Sequence, residues 1–468
     1  MQPNALIQPG LVLRENPDCV NPLRHGVITG SGKFCRHCES RPSPALTEKK
    51  DWSHEQEIQR VHLRRSVTIT NPNPIILTLN LGSSSLKFAL FRGGKGDASP
   101  ERLVSGKLDR IGLASGTFQA KDSQGKSLAK REITLNDHDD ALETLLEWIS
   151  SNIPEMTPQI AGHRIVHGGN QYAEPQLVTS ALLAYLKNLI PLAPDHLPQE
   201  IQAIETLKSL QPGLPQAVCF DTAFHRTMPR VAQLYGLPRA LADEGIIRYG
   251  FHGLSYEYIV QALAQAAGER VARGRVIVAH LGNGCSLCAI REGQSVETTM
   301  GFTPTGGLTM STRSGDLDPS IIFYLLEHKK RSPAEVNEIL NKRSGLLGLS
   351  GLSSDMQDLL QKAPSDPRAE EAIAVFCYVA KKFLGALTAA LGSLETLIFT
   401  GGIGENAAPI RERICAGLED FGIRLDSNAN DRNEAVISSA DARVTVRVMA
   451  TDEEAIIAHH TLKLWRKN

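Results

Sequence analysis

The chain has almost no net charge, few cysteines and no charge-free hydrophobic run long enough to span a membrane. Its 468 residues hold 50 Lys and Arg against 51 Asp and Glu, a formal net charge of -1. No overall positive field exists to hold nucleic acid or an anionic membrane, so a charged ligand must be gripped locally. Eight cysteines are too sparse for a disulfide framework, and Cys219, Cys285 and Cys377 stand among apolar neighbours as reduced core thiols do. The most apolar stretch, Ile373 to Leu391, contains Lys381 and Lys382, which fits an amphipathic helix and is costly in hydrocarbon. The opening Met-Gln-Pro-Asn lacks the basic segment and apolar core of a secretory leader, so the expectation is a cytoplasmic protein. There is no G-x-x-x-x-G-K-[ST] motif, which excludes a P-loop as the source of any phosphate binding.

What is present is a globular composition, 41% apolar and 22% charged, over a length that suits two to four domains at about 100 to 200 residues each. Residues 1–74 differ from the rest, with eight prolines, Phe34 and Trp52 as aromatics, and no sustained apolar period. Residues 1–73 are therefore expected to form a disordered tail. Within that tail Cys35 and Cys38 form a C-x2-C pair with His54 and His62 downstream. Seven residues separate the histidines where zinc fingers use about three to five, so a zinc site is the weaker reading.

Order is expected from Pro74, where IILTLNLGSSSLKFALF reads as strand, tight turn and strand. A second such pattern, VIVAHLGNGCSLCAI, puts Leu281, Gly282 and Ala289 at a constant offset of 200 residues from Leu81, Gly82 and Ala89. That spacing suggests two related halves; solenoid repeats recur about every 20 to 50 residues. Helical patterns at Asp139 to Ile149, Ser180 to Leu189 and Gln199 to Leu207 alternate with short strands at Ile160 to Val166 and Gln216 to Phe220. The alternation predicts an α/β fold. Further helices are expected at Pro333 to Leu340 and Glu370 to Leu391. A strand at Leu394 to Thr400 runs into GGIGEN, and a final helix covers Asp452 to Trp465.

In NLGSSSLK a strand ends at Asn80 and the turn offers backbone N–H groups and serine hydroxyls to phosphate oxygens, with Lys87 adding a point charge. HLGNG, His280 to Gly284, has the same logic, its glycines letting a ligand approach the backbone. GGIGEN, Gly401 to Asn406, lies between strand and helix, where a nucleotide is expected. With Ala407 and Asp426 it also satisfies a dinucleotide fingerprint, but only about 60 residues follow, too few for that fold to start there. His163, Arg164 and His167 stand at one strand end and Asp221 and His225 at another, where open α/β sheets keep ligands. His252 lies in RYGFHGLS, and Arg313, Asp316 and Asp318 in MSTRSGDLDP. Singly, each is more often a solvated or satisfied residue. Together they fit phosphoryl transfer, which needs positioning, charge neutralisation and Mg²⁺.

These segments, with GFTPTGGLTMSTRSGDLDP, SGLLGLSGLSSD and TDEEAIIA, occur in one order from about Pro74 to Leu464, and in that order the chain resembles the acetate kinase family. The resemblance implies two related ribonuclease H-like (actin-like ATPase) domains with a cleft between them. Residues 74–222 would form the N-terminal domain and 223–453 the nucleotide-binding domain, with a helix at 454–466 packing back onto the first. It implies ATP and Mg²⁺, or Mn²⁺, as cofactors, Asn80 and Glu453 as metal ligands, and Arg164 as the holder of a small carboxylate. Asp221 matches the family's acid/base position, and His252 and Arg313 its transition-state stabilisers. Lys87, His280 to Gly284 (with Leu281, Gly282 and Asn283 between), Asp355, Met356 and Gln357, and Gly402, Ile403, Gly404, Glu405 and Asn406 match its ATP-binding stretches. The implied reaction converts ATP and a short-chain acid, acetate first and propionate as alternative, to ADP and an acyl phosphate. The implied assembly is a homodimer with no nucleic-acid or membrane partner. A nucleotide-binding regulator or ATPase using the same clamp is the reading from another class.

A carboxylic acid of pKa about 4 to 5 is already ionised at neutral pH, so its attack on phosphorus needs no general base. Asp221 is therefore expected to be an orienting or metal-linked group. Three departures from the family's pattern stand out: Asp195 in APDHLP where an apolar residue is usual, Gln357 where an Arg is usual, and TDEE, with Asp452 beside Glu453.

Overall fold

The computed structural model describes residues 71–96 and 98–467. The expectations for the tail, including the Cys35 and Cys38 pair, lie outside the described residues up to residue 70. Asn71 already belongs to the fold: its side chain donates to Gln159 Oε1 at 2.8 Å, and its carbonyl accepts from Trp465 Nε1.

Two sheets carry the architecture. The first holds β1 (Ile75–Gly82), β2 (Ser85–Arg92), β3 (Glu101–Asp109), β4 (Gly116–Asp122), β5 (Ser127–Ile133), β6 (Ile160–Ile165), β7 (Gln176–Leu177) and β8 (Gln216–Phe220), in the order β5-β4-β3-β2-β1-β6-β8-β7. The second holds β9 (Val276–Leu281), β10 (Cys285–Arg291), β11 (Gln294–Thr298), β12 (Thr396–Thr400) and β13 (Thr445–Val448), in the order β11-β10-β9-β12-β13. Both share one plan: a three-stranded antiparallel meander whose first strand is joined in parallel by a fourth strand, which is joined in parallel by a fifth. The two expected halves are thus visible as topology.

The offset of 200 residues holds along the first strand of each hairpin and fails on the second. In β1–β2, Gly82 pairs with Ser85 across a two-residue turn and Ala89 pairs with Thr78. In β9–β10, Leu281 pairs with Cys285 and Val278 with Cys288. The structural counterpart of Ala89 is therefore Cys288, not Ala289, because Leu81 pairs with Leu86 whereas its match Leu281 pairs with Cys285, so the second hairpin returns one residue sooner, and a one-residue slip moves a side chain to the other face.

The central strands are buried because helices cover both faces. The helix His138–Asn152 is capped by Asp137 and sets Leu142, Leu145, Trp148 and Ile149 against the inner face of the meander, with Phe88 and Phe118. The helix Pro367–Leu391 starts at an Asp366 cap and ends at Gly392, whose φ of 82° closes it. By length and composition it could cross a membrane. Here Ile373, Phe376, Ala380, Leu384 and Leu387 are instead buried in the core that covers the second sheet.

The helix Glu453–Lys467 returns to the first sheet. Ala458, Leu462 and Trp465 meet Ile76, Ala89, Phe91 and Ile160, while Ile456 and Ile457 meet Cys219 and Leu254. Gly162 permits this approach, since any side chain there would collide with Thr461 and Ile457.

Candidate active site

The strands of both sheets end at one cavity of about 980 Å³. Asn80 ends the straight part of β1, Arg164 stands near the end of β6, Asp221 follows β8, His280 lies near the end of β9 and Gly401 follows β12. The cavity wall includes most of the residues singled out from sequence: Asn80, Lys87, Arg164, His252 and Glu453; His280, Gly282, Asn283 and Gly284; Asp355, Met356 and Gln357; Gly402, Ile403, Glu405 and Asn406. Four candidates sit elsewhere. Leu281 points into the core and Gly404 is buried. Asp221 is fully buried behind Arg164, and Arg313 is nearly buried against the loop that carries it, donating to Pro304 O at 2.9 Å.

Arg164 is fixed on one edge. Its Nε donates to Asp221 Oδ1 at 3.0 Å and its Nη2 to Asp221 Oδ2 at 2.6 Å. Nη1 donates to Asn80 Oδ1 at 3.2 Å. Five N–H groups make up a guanidinium, so one proton on each Nη is left over, the end-on pair that suits a carboxylate or phosphate. Burial pushes the Asp221 carboxyl up while Arg164 pulls it back down, and the two-point contact keeps the pair charged. Asp221 thus fixes one edge of the Arg164 guanidinium.

Glu453 accepts from Asn80 Nδ2 at 2.8 Å and lies 3.8 Å from Arg164 Nε. Its carboxyl lies below the usual value: burial alone would raise it, and the Arg164 and Lys87 charges with the Asn80 hydrogen bond outweigh burial. Glu454 also accepts from Asn80 Nδ2, at 3.2 Å.

His252 and His280 stack with ring centroids 4.2 Å apart and planes at 20°. Each Nδ1 meets a serine, His252 with Ser286 Oγ at 2.8 Å and His280 with Ser255 Oγ at 2.9 Å. Behind the serines stand two further hydroxyls, Tyr256 on Ser286 and Thr451 on Ser255. Tyr256 is fully buried, so its proton goes to Ser286. Ser286 in turn donates to His252 Nδ1, leaving an Nε2–H directed toward Gly284. Burial holds both rings neutral, His280 down to about 4 and His252 well below its ordinary value, with the neighbouring ring and Arg164 acting the same way on His252. His252 is therefore a neutral donor rather than a cation.

Backbone shape keeps this centre tight. His252 itself adopts φ 61° at the start of the helix Gly253–Ala267, a strained conformation for a non-glycine residue. A Cβ on Gly284 would lie 3.1 Å from His252 Nε2 and 3.5 Å from Arg313 Nη1. Gly401, with φ 77°, leaves no room for a side chain against Leu281 O, whereas Gly402 is unobstructed. Glu405 turns back to accept from Gly401 N at 2.9 Å.

Sequence reasoning missed Ser255, Ser286, Thr451, Glu454 and Lys107, all of which hold or line the site. Only Glu454, the second acid of TDEE, left a readable signal. Asp195 is not among the residues lining the cavity and pairs with Lys342.

Two sheets that share a five-strand arrangement, β3-β2-β1-β6-β8 and β11-β10-β9-β12-β13, closing on a single polar cleft define an α/β clamp of the actin-like ATPase class. Comparison with known proteins narrows this. The chain belongs to the acetokinase family, whose model matches residues 75–459. It is 46% identical over 396 residues to an acetate kinase of Methylocella silvestris, covering 83% of this chain and 97% of that protein. Solved relatives include Porphyromonas gingivalis acetate kinase, with TM-score 0.73 and 36% identity over 84% of this chain and 99% of that one. A propionate kinase from Francisella tularensis gives TM-score 0.77 and 37% identity over 83% and 99%.

Proposed function

We propose that the protein transfers the terminal phosphoryl group of ATP to acetate, reversibly, forming ADP and acetyl phosphate. The observation that carries this reading is Arg164, fixed by Asp221 with two N–H groups to spare beside a cavity of nucleotide size. A bare ATPase needs no such second anion holder. Acetate bound there is already a carboxylate, so no proton has to leave before its oxygen attacks phosphorus in line.

The task is to bring two anions together. Arg164 would hold the acetate carboxylate, and Lys87 with the Gly282 to Gly284 turn would receive the nucleotide phosphates. Arg313, whose Nη1 lies behind Gly284, and the His252 Nε2–H would flank the region where charge spreads over the transferring group, and preorganised donors at that point lower the barrier most. Gly402 to Asn406 and Asp355 to Gln357 would hold the rest of the nucleotide; Asp355 caps its helix by accepting from Gln357 N at 2.8 Å.

The family implies Mg²⁺. Among the described residues no group of three or more His, Cys, Asp or Glu side chains could hold a metal ion alone. Asn80 Oδ1 and the Glu453 carboxylate are hard oxygen donors that fit an ion keeping several waters and riding on phosphate oxygens; Mn²⁺ would use the same atoms. When bound, the ion would neutralise phosphate charge.

The domain division we favour runs 74–222 and 223–453, with 454–466 on the first sheet. We place the protein in the cytoplasm as a homodimer. The exposed Ile321, Phe323 and Tyr324 on Pro319–His328 support an interface, which sedimentation of Phe323→Asp would test. Trapping acyl phosphate as hydroxamate from acids of one to four carbons tests the reaction. Acetate should lead, propionate should lead under the second reading, and ATP hydrolysis without hydroxamate would favour the ATPase.

A further inference from the structure

The first meander has an outer face that the C-terminal helix leaves uncovered, and its charge is one-sided. Cross-strand partners point to the same face, and one row of them runs outward from the active site. Asn80 pairs with Lys87, Lys87 with Lys107, Lys107 with Gln119 and Gln119 with Lys130. A neighbouring row pairs Ser105 with Lys121 and Lys121 with Ser127. Lys87 directly opposite Lys107 is a like-charge pair, which destabilises a sheet unless an anion lies between.

These residues line a groove of about 420 Å³, to which Arg102 also contributes. Among the described residues Glu454 is the one acid in its wall; Asp109 and Glu132 stand a row further along the same face. Arg102 is answered by Asp452, and Lys107 by Asp109 at 2.7 Å. Lys87, Lys121 and Lys130 are exposed and form no ion pair among the described residues; β4 buries Phe118 and Ala120 on its opposite face, β5 buries nothing, and on β2 the C-terminal helix covers Ala89 and Phe91 beyond Lys87. The ammonium groups therefore do no packing. Lys87, Lys107 and Glu454 line both this groove and the nucleotide cavity.

We propose that the groove is a second anion site, which takes a small phosphate-bearing molecule between Lys107, Lys121 and Lys130, with the Ser105 and Ser127 hydroxyls as further donors. Such lysines act as point charges on phosphate and the hydroxyls complete its hydrogen bonds. Because Lys87 and Lys107 serve both spaces, an occupant draws them from the nucleotide and weakens its binding. The site itself stands without the kinase reading, whereas this coupling rests on it.

The test uses the full chain with its nucleotide cavity saturated by ADP, confirmed by calorimetry, and pyrophosphate as probe. A further saturable equivalent should bind, and Lys121→Ala with Lys130→Ala should weaken it at least about tenfold. Both side chains are exposed and outside the proposed machinery, so ATP KM and kcat without probe should match the parent. Pyrophosphate should raise the ATP KM more in the parent than in the double variant. Lys121→Gln with Lys130→Gln serves if the alanines disturb folding. Pyrophosphate that only competes with ADP, or an extra equivalent bound equally by the variants, would overturn the proposal. ADP failing to bind would count against the nucleotide reading alone.

Discussion

Asp195 Oδ1 and Lys342 Nζ stand 3.0 Å apart, joining a turn that follows the first sheet's helices to the last residue of a helix, Pro333–Lys342, on the second sheet's side of the chain. His196, the neighbour that might have been its partner, is neutral: burial first, then Arg313 and Arg164, push it down to about 4. Asp195 is thus answered away from the acceptor, while its charge still reaches Arg313.

Asp195→Leu should cost less than about 1 kcal/mol of stability, because both partners are partly exposed. Removing the negative charge should lower the acetate KM by roughly two- to fivefold at low salt, an effect that fades at high salt. Steady-state kinetics with acetate and propionate at two ionic strengths would show it. An unchanged KM for every acid would place Asp195 outside the acceptor's field.

The two arginines should separate in kinetics. Arg313→Ala should lower kcat by about 10² to 10³ with ATP binding retained, as expected for a donor whose contact strengthens as charge develops. Arg164→Ala should raise the acetate KM and also destabilise the fold by about 3 to 5 kcal/mol, since Asp221 and Glu453 would be left buried without it. Denaturant titration alongside initial rates distinguishes them; equal small effects from both would refute these roles.

Acid should unfold the protein early. His163, His167 and His225 are buried and pushed down to about 4, mainly by burial. Below pH 6.5 the unfolded chain takes up protons that the folded rings refuse, so this stability is complete above 6.5 and declines toward pH 4, by of order 3 kcal/mol per ring. Glu200 runs the other way. Burial raises it to about 8, so its contribution is full below 4.5 and is lost as pH rises to 8. Melting temperature should therefore climb from pH 4 to 6.5 and slip slightly toward 8; calorimetry showing a flat curve below 6.5 would contradict the buried neutral rings.

Removing residues 1–70 should leave turnover and melting temperature unchanged, because the family match begins at 75. Removing residues 1–74 should cost about 1 to 3 kcal/mol. It deletes the bonds from Asn71 to Gln159 and Trp465 and from Pro74 O to Gly93. Loss of activity in the shorter deletion would give residues 1–70 a structural part.

Strand ends were the legible part of this site, since Arg164, Asp221 and His280 each close an apolar run short enough to read as a buried strand. What supports them was not legible. Ser286 and Ser255 look like any small polar residue, and their value comes from which imidazole the fold sets beside them. The strands β3 to β5 escaped because β5 has no buried residue and Gly106 interrupts the β3 pattern. Gly106 is needed there, as a side chain would strike Phe88. The helix Gly253–Ala267 escaped because it starts at His252, whose positive φ belongs to turns. Ala289 misled for a simpler reason: identity at a fixed offset ignores a hairpin that returns one residue sooner.

The bond between Asn80 and Glu453 spans 373 residues of chain. A ribosome therefore finishes nearly all of both sheets before the partner of Asn80 has been translated. Folding of early segments can proceed during synthesis, yet the phosphate end of the cleft stays open until Glu453–Lys467 has left the exit tunnel and settled on Gly162. Nascent chains, and messages cut short before codon 453, would lack Glu453 and leave Ile76, Ala89, Phe91 and Ile160 of the first sheet uncovered.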